Sequence, residues 1–200
     1  MLYYERKFKK RGCDFVIGVD EVGRGSLAGP VVAAAVSLKV ESFQNRIDDS
    51  KRLTARQREK AFPEIISKSV FGIGIINEKI IDHLNIAVAS RLAMEQAIVG
   101  LIDKLKHCRK SRTHILIDGN VRINIDYPFS SIVKGDSKSK SIACASILAK
   151  VIRDRMMSVY HKFYPQYGFL AHKGYGTKIH KLALKKFGPS LIHRMTFRSV

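Results

Sequence analysis

Two apolar runs on either side of a glycine-rich turn set the strongest limit on the fold. Residues 15–22 (FVIGVDEV) and 30–38 (PVVAAAVSL) are rich in β-branched and small apolar side chains, so each predicts a strand. Because the turn between them is short, the two strands should lie close together in one sheet. The first strand ends in two acids, Asp20 and Glu21.

The remaining segments predict a mixed sheet with helices. Further strands are expected at residues 70–76, 115–118 and 130–133, and helices after a capping box at Thr54 and Gln57 and at residues 85–106, 138–160 and 177–187. Pro63 should bend or end the first helix. Closely joined early strands and later strands separated by helices predict an α/β fold, and no repeat or linker divides residues 1–200 into more than one domain.

The chain is strongly basic, with 36 Lys and Arg against 17 Asp and Glu and a formal net charge of +19. This charge predicts a polyanionic partner, above all nucleic acid. Residues 137–200 hold 13 basic residues and one acid, Asp154, so the C-terminal third is expected to grip phosphates. Membrane binding is disfavoured, because the basic residues are interleaved with core-like segments and no long apolar run is present.

The cysteines and the N-terminus favour a cytoplasmic protein. Cys13, Cys108 and Cys144 are odd in number and far apart, which supports neither a disulfide framework nor a zinc site. The first residues, MLYYERKFKKRG, lack the apolar region of a signal peptide. We also expect the protein to act as a monomer.

Four acids occupy comparable points of the predicted sheet. Asp20 and Glu21 end one apolar strand, Asp118 ends another, and Asp136 lies just past a third. Taken singly, each is more often a solvated turn or cap residue. Acids at strand ends can converge on one crevice, where hard cations relieve their repulsion. No histidine or cysteine spacing competes for a metal.

An acidic crevice on a basic protein suits metal-assisted phosphodiester hydrolysis, because the basic surface holds the strand while the metals support its cleavage. The rival interpretation is a non-catalytic RNA- or ribosome-binding module, which the charge would suit equally well. That rival gives no reason for four carboxylates at strand ends.

A second rival comes from residues 23–28 (GRGSLA), which match a dinucleotide-binding fingerprint, with Asp48 about twenty residues later. The fingerprint needs a helix immediately after the turn, whereas Gly29, Pro30 and the following β-branched run predict a strand. The adjacent Asp20 and Glu21 would also repel a pyrophosphate. An oxidoreductase is therefore disfavoured.

Six segments resemble the ribonuclease HII family, in the family's order. They are GVDEVGRGSLAGPVVAAAV (18–36), DSKRLT (49–54), NIAVASRLAMEQAI (85–98), LIDGN (116–120), KGDSKSKSIACASILAKVIRD (134–154) and HKGYGTKIHKLALKKFGPSLIHRMTF (172–197). The resemblance spans about residues 14–198. It implies a ribonuclease H-like fold, with a five-stranded mixed sheet, helices on both faces and extra C-terminal helices.

The resemblance also implies an activity and a site. A member of this family would cut the RNA strand of RNA–DNA hybrids and cut 5′ of ribonucleotides embedded in duplex DNA, leaving 3′-hydroxyl and 5′-phosphate ends. Such an enzyme would use Mn²⁺ or Mg²⁺, and its roles would lie in DNA replication and repair. Its metal ligands would be Asp20, Glu21, Asp118 and Asp136. The loop that senses the ribose 2′-hydroxyl would be Gly23, Arg24 and Gly25, and Tyr175 would stack beside the sugar at the junction.

Several other polar residues are weaker candidates. Lys51 and the cluster of Lys138, Ser139 and Lys140 could contact phosphates, although any one lysine is more often solvated surface. Asp154 lies in a predicted helix, where pairing with Arg153, Arg155 or a neighbouring base is favoured over metal binding.

Overall fold

The computed structural model describes residues 1–105 and 108–198, and its centre is a five-stranded sheet. The strands are β1 (Phe15–Val22), β2 (Val31–Leu38), β3 (Ser69–Ile76), β4 (Thr113–Asp118) and β5 (Phe129–Ile132). Their spatial order is β3-β2-β1-β4-β5. β1 pairs antiparallel with β2, and β2 antiparallel with β3, whereas β1, β4 and β5 run parallel. The predicted mixed sheet is confirmed.

Seven α-helices surround the sheet in the described part of the chain. They are α1 (Tyr3–Lys10), α2 (Ala55–Lys68), α3 (Glu78–Leu84), α4 (Ile86–Ile102), α5 (Lys140–Phe163), α6 (Phe169–His172) and α7 (Lys178–Phe187). None of the helices described is long and apolar enough to cross a membrane.

The two faces of the sheet bury separate cores. On one face, α4 covers side chains of alternate strand positions such as Ile17 and Ala33. On the other face, α5 and α2 cover the intervening positions, among them Val32 and Ala34. Because successive side chains of a strand point to opposite faces of the sheet, neighbouring residues of one strand pack against different helices. α6 and α7 pack beside the end of α5 on residues 27–28, which confirms the extra C-terminal helices.

Most predicted elements agree with the structure, and the exceptions have physical causes. The capping box at Thr54 and Gln57 is present. The expectation that Pro63 would end the helix is wrong, because α2 continues to Lys68 and is held by fully buried Ala61 and Ile65. α4 ends at Ile102, before the predicted end at residue 106, which lies outside the described residues. α1 and α3 were not predicted.

Candidate active site

Three of the four predicted ligands meet at the carboxyl-end edge of the parallel strands. Asp20 is near the end of β1, Asp118 ends β4, and Asp136 lies in a 3₁₀ turn, Gly135–Ser137, that follows β5. One carboxylate oxygen from each residue lies within 4.8 Å of the other two. The three strands run parallel, so their ends share one edge of the sheet.

Hydrogen bonds orient these carboxylates. Asp118 Oδ1 accepts the backbone N–H of Gly135 at 2.6 Å, which joins the tip of β4 to the turn that carries Asp136. The backbone N–H of Glu21 donates to Asp20 Oδ1 at 2.7 Å. The buried Ser146 hydroxyl on α5, 2.8 Å from Ser50 Oγ, lies close enough to Asp20 to offset part of the rise in pKa that burial causes in that carboxyl. The cluster is thus held by α5 and by a neighbouring turn as well as by the strands.

The electrostatics of the cluster favour a bound cation. Burial raises the pKa of Asp20 well above its usual value, and the nearby Glu21 and Asp118 carboxylates raise it further. Burial also raises the pKa of Asp136 to about 6, with Asp118 and Asp49 adding to the effect. Oxygen-only ligands with uncompensated negative charge fit a hard divalent cation such as Mg²⁺ or Mn²⁺.

Glu21 differs from its three companions. Asp20 pairs with Ala34 and Glu21 with Ala33, so their side chains leave the strand on opposite faces. Glu21 Oε1 accepts from Arg24 Nη1 at 3.1 Å, and Glu21 is not part of the 4.8 Å cluster. Burial raises the pKa of Glu21 despite this opposing contact with Arg24. The structure therefore places Glu21 beside the cluster, paired with a residue of the glycine-rich turn.

A cleft of about 480 Å³ opens on the cluster. It is lined by Asp49, Lys51, Arg52, Asp118, Lys134, Asp136 and Ser137. Although burial opposes the charge on Lys51, the surrounding acids, Asp20 first among them, raise its pKa. Lys51 therefore stays cationic at the rim of the cleft.

Asp49 is a cleft residue that the sequence reasoning missed. Its carboxylate faces Asp136, and its Oδ1 accepts the backbone N–H of Lys51 at 2.9 Å. The only sequence signal was its place in the segment DSKRLT, where it is equally typical of a cap of the following turn.

The structure brings the Gly23-Arg24-Gly25 turn and Tyr175 together. Ser26 forms an antiparallel bridge with Tyr175, and Leu27 donates its N–H to Gly174 O at 2.8 Å. Gly23 has a φ of 95°, and a Cβ there would overlap the Arg153 side chain, so glycine is required. Gly25 has open space around it, and Arg24 is exposed.

The remaining candidates have structural contacts. Ser139 is fully buried, caps α5 and donates to Glu5 Oε1 at 2.6 Å, so its predicted phosphate contact is wrong. Lys138 and Lys140 donate to the carbonyls of Val133 and Glu41.

Asp154 pairs with a neighbouring base, as predicted, but that base is Lys150 at 2.9 Å. Of the two arginines considered for this role, Arg155 pairs instead with Glu59, and Arg153 donates to backbone carbonyls.

The dinucleotide-binding interpretation fails on topology. Residues 23–28 lead into β2, which pairs antiparallel with β1, so no helix N-terminus follows the turn. Asp48 is occupied by ion pairs with Arg46 and Arg52.

Comparison with known proteins decides the family. The family model described as Ribonuclease HII matches residues 17–200. The chain belongs to the ribonuclease HII family. A ribonuclease HII of Caldanaerobacter subterraneus subsp. tengcongensis is 50% identical over 98% of this chain and 79% of the relative. That of Syntrophotalea carbinolica is 42% identical over all of this chain and 92% of the relative.

Solved structures agree with this family on the fold. Ribonuclease H2 from Pyrococcus horikoshii OT3 superposes with a TM-score of 0.72 at 25% identity, covering 92% of this chain and 94% of that one. A Bst-RNase HIII in complex with Mn²⁺ superposes with a TM-score of 0.74 at 19% identity, covering 96% of this chain and 70% of that one. Membership of the ribonuclease HII family makes the chain a ribonuclease H endonuclease, which argues against the non-catalytic binding module.

Proposed function

We propose that this enzyme cuts the RNA strand of RNA–DNA hybrids and cuts 5′ of ribonucleotides embedded in duplex DNA, leaving 3′-hydroxyl and 5′-phosphate ends. The observation that carries this proposal is the Asp20–Asp118–Asp136 cluster near the end of β1, from which the chain runs directly into the turn of residues 23–25 and the bridge to Tyr175. The acids supply a place for chemistry on a phosphodiester. The turn and the tyrosine supply a place to read the sugar beside it.

Two divalent cations, Mg²⁺ or Mn²⁺, would be held by Asp20, Glu21, Asp118 and Asp136. When bound, such cations supply Lewis acidity to the attacking and leaving oxygens. The fit rests on the close carboxylate oxygens and on the raised pKa of Asp20 and Asp136. Glu21 can join the set by exchanging its ion pair with Arg24, which is exposed and free to turn toward a phosphate.

The protein's own groups would select the ribonucleotide. A 2′-hydroxyl both donates and accepts hydrogen bonds, and a glycine-rich turn lets backbone groups approach it closely. Gly23, Arg24 and Gly25 would contact the sugar from one side, and the half-buried ring of Tyr175 would support it from the other. Lys51, at the cleft rim, would hold a neighbouring phosphate.

The wider setting is part of the same proposal. We place the enzyme in the cytoplasm as a single-domain monomer that acts in DNA replication and repair. Three cysteines free of disulfides suit a reducing compartment.

The test is a cleavage assay on a labelled duplex that contains one ribonucleotide, with a hybrid containing many ribonucleotides and an all-DNA duplex alongside. We expect cleavage of the first two with Mg²⁺ or Mn²⁺ and none after chelation. A 5′-labelled product extendable by polymerase would identify the 3′-hydroxyl end. Metal-independent cleavage, or equal cutting of the all-DNA duplex, would contradict the proposal.

A further inference from the structure

Three histidines lie next to Tyr175, on the side of the protein core. His180 on α7 is fully buried, His193 is 2% exposed, and His172 at the end of α6 is half-buried. The ring of His172 stacks on that of His180 at a centroid distance of 4.5 Å. We call His172, His180 and His193 the histidine cluster. The chemistry proposed for the cleft does not use them.

The hydrogen bonds of the cluster can run in only one direction. The backbone N–H of Ser190 must donate, so His193 Nδ1 accepts it at 2.8 Å. The carbonyl of Tyr175 must accept, so His180 Nδ1 donates to it at 3.0 Å. Neutral rings then carry a proton on His193 Nε2 and a lone pair on His180 Nε2.

These two nitrogens face each other at 3.0 Å, which the neutral tautomers satisfy with one hydrogen bond. An unbroken chain therefore runs from Ser190 through His193 and His180 to the Tyr175 carbonyl. A proton added to His193 Nδ1 would replace the Ser190 N–H contact with one to Ser190 Oγ, which lies 2.8 Å away, and a second proton would place the two Nε2–H groups against each other. The chain that starts at the Ser190 N–H is therefore complete only when both rings are neutral, and protonation of both rings breaks its central hydrogen bond.

The surroundings of the chain favour the neutral form. Burial lowers the pKa of His193 to about 4, and His180 adds to the effect. Burial also lowers the pKa of His180 and of His172. Within the described residues neither His180 nor His193 pairs with a carboxylate. Among the described residues, the titratable groups that act on these rings are the histidines themselves and His161, and Tyr167 packs on His193. Arg194 follows His193 in the chain, and Arg153 lies over the Tyr175 ring.

The segment that carries His193 also holds the glycine-rich turn. His193 forms a bridge with Ala28, and the next residue, Arg194, is fully buried. Arg194 donates to Arg24 O at 2.9 Å and to Gly29 O at 2.7 Å. Two adjacent residues thus contact both sides of the proposed sugar site. Arg194 holds the glycine-rich turn, and His193 reaches the backbone of Tyr175 through His180.

We propose that His180 and His193 are positioning residues, which hold Tyr175 against the glycine-rich turn through a chain of fixed tautomers that protonation of both rings breaks. The inference rests on the proposed role of Tyr175 as a reader of the sugar. It makes 2′-hydroxyl recognition dependent on two side chains that never touch the substrate.

Nitrogen NMR of the protein labelled in histidine tests the chain without any substrate. At neutral pH we expect a protonated Nε2 on His193 and a protonated Nδ1 on His180, and the Tyr175 amide signal should shift as His193 titrates. The opposite tautomer on either ring, or a Tyr175 signal indifferent to that titration, would overturn the inference. This outcome is independent of whether the enzyme cleaves any substrate.

Kinetics test the positioning role. His193→Phe breaks the chain, whereas His193→Gln keeps an N–H donor that cannot titrate. His114→Gln is the matched control, because burial likewise lowers the pKa of His114 to about 4 and His114 lies at the end of β4 away from Asp118. On the single-ribonucleotide duplex His193→Phe should lower kcat roughly 10-fold with little change in KM, the expected signature of lost transition-state positioning.

The pH profile separates positioning from a merely structural role. The kcat ratio of wild type to His193→Gln should be constant above neutrality and fall as the pH approaches the His193 pKa of about 4. Ionisations of the cleft acids are common to both proteins and cancel in this ratio. A flat ratio, or a folded His193→Phe with wild-type kcat, would refute the inference. Absence of any metal-dependent cleavage by wild type would instead refute the proposed function.

Discussion

Asp20 is buried beside other carboxylates, an arrangement that packing of the core does not require. Its carboxylate lies near Glu21 and Asp118, and burial makes its ionised form costly. A site of this kind stores unfavourable electrostatic energy in the metal-free protein, which a bound cation would relieve. Such a cost is expected where carboxylate ligands converge on a cation.

Replacing Asp20 with Asn should abolish metal-dependent cleavage and leave the metal-free melting temperature equal or higher, because one repelling charge is removed. Mg²⁺ or Mn²⁺ should raise the melting temperature of wild type but much less that of the variant, since cations stabilise the state that binds them. Calorimetry and the duplex assay check both. Asp126→Asn, at a carboxylate 92% exposed, is the control. Equal metal shifts in Asp20→Asn and wild type would refute the site.

Tyr175→Ala should slow cleavage of the single-ribonucleotide duplex by at least ~10-fold, the scale of 1.4 kcal/mol in transition-state stabilisation. Substrate affinity should change little, since phosphate contacts remain. Tyr3→Ala serves as the control, because Tyr3 is 67% exposed on α1. Single-turnover kinetics on ribo and 2′-deoxy junctions measure the effect. If Tyr175→Ala discriminates between ribo and 2′-deoxy junctions as well as wild type does, the tyrosine takes no part in recognising the sugar.

At the scale of single residues, the sequence predicted which residues form the site better than it predicted where their side chains point. Strand-end positions and the family resemblance both selected Asp20, Asp118 and Asp136, which the structure clusters. The pairing of Glu21 with Arg24 depends on strand register and on the course of the turn. Neither can be read from a motif, and the same holds for Asp49 facing Asp136.

At the scale of elements, α4 packs unusually close to β3. A Cβ at Gly74 would overlap the Ala93 carbonyl, and one at Gly72 would overlap that of Ala97. These are backbone atoms of a helix, so they cannot turn aside as a flexible side chain would. The two glycines therefore set the distance between helix and sheet.

Gly74→Ala should lower the free energy of unfolding by ~1–3 kcal/mol, the usual cost of overpacking. Gly100→Ala, inside α4 where the added methyl group would meet nothing within 4 Å, should instead stabilise it by roughly 0.5–1 kcal/mol through helix propensity. Urea denaturation of both variants gives the comparison. The close approach is refuted if Gly74→Ala is as stable as Gly100→Ala.

Elements with local signals were predictable, and those made by tertiary contacts were not. Apolar runs and the Thr54 cap marked the strands and α2. α1 presents few apolar residues, and its Glu5 is buried at the start of α5, accepting from Ser139 and Ser141. That contact joins residues far apart in the chain, so no local pattern could indicate it.

At the scale of the whole molecule, the charge of +19 makes binding to nucleic acid sensitive to salt. Four lysines of α7 are exposed, and the Cε of Lys181 lies 3.6 Å from the position a Cβ would take at Gly176, beside Tyr175. This places a cation next to the proposed sugar-reading site.

Lys181→Gln should reduce the slope of log affinity against log salt by about 0.9, the contribution of one phosphate contact. Lys39→Gln should leave the slope unchanged, because Lys39 follows β2 at the end of the sheet away from the cleft. Binding titrations at several salt concentrations, without divalent metal, measure both slopes. Equal slopes for the two variants would place Lys181 outside the footprint.

The parallel pairing of β1 with β4 also determines when the cleft can exist. Parallel neighbours cannot be joined by a hairpin, so a long loop must close before Asp118 reaches Asp20. Such non-local contacts form late and slowly, whereas β1, β2 and β3 can associate early. An intermediate with only those three strands has no complete cation site. A cation that binds the finished cleft would therefore slow unfolding without accelerating folding.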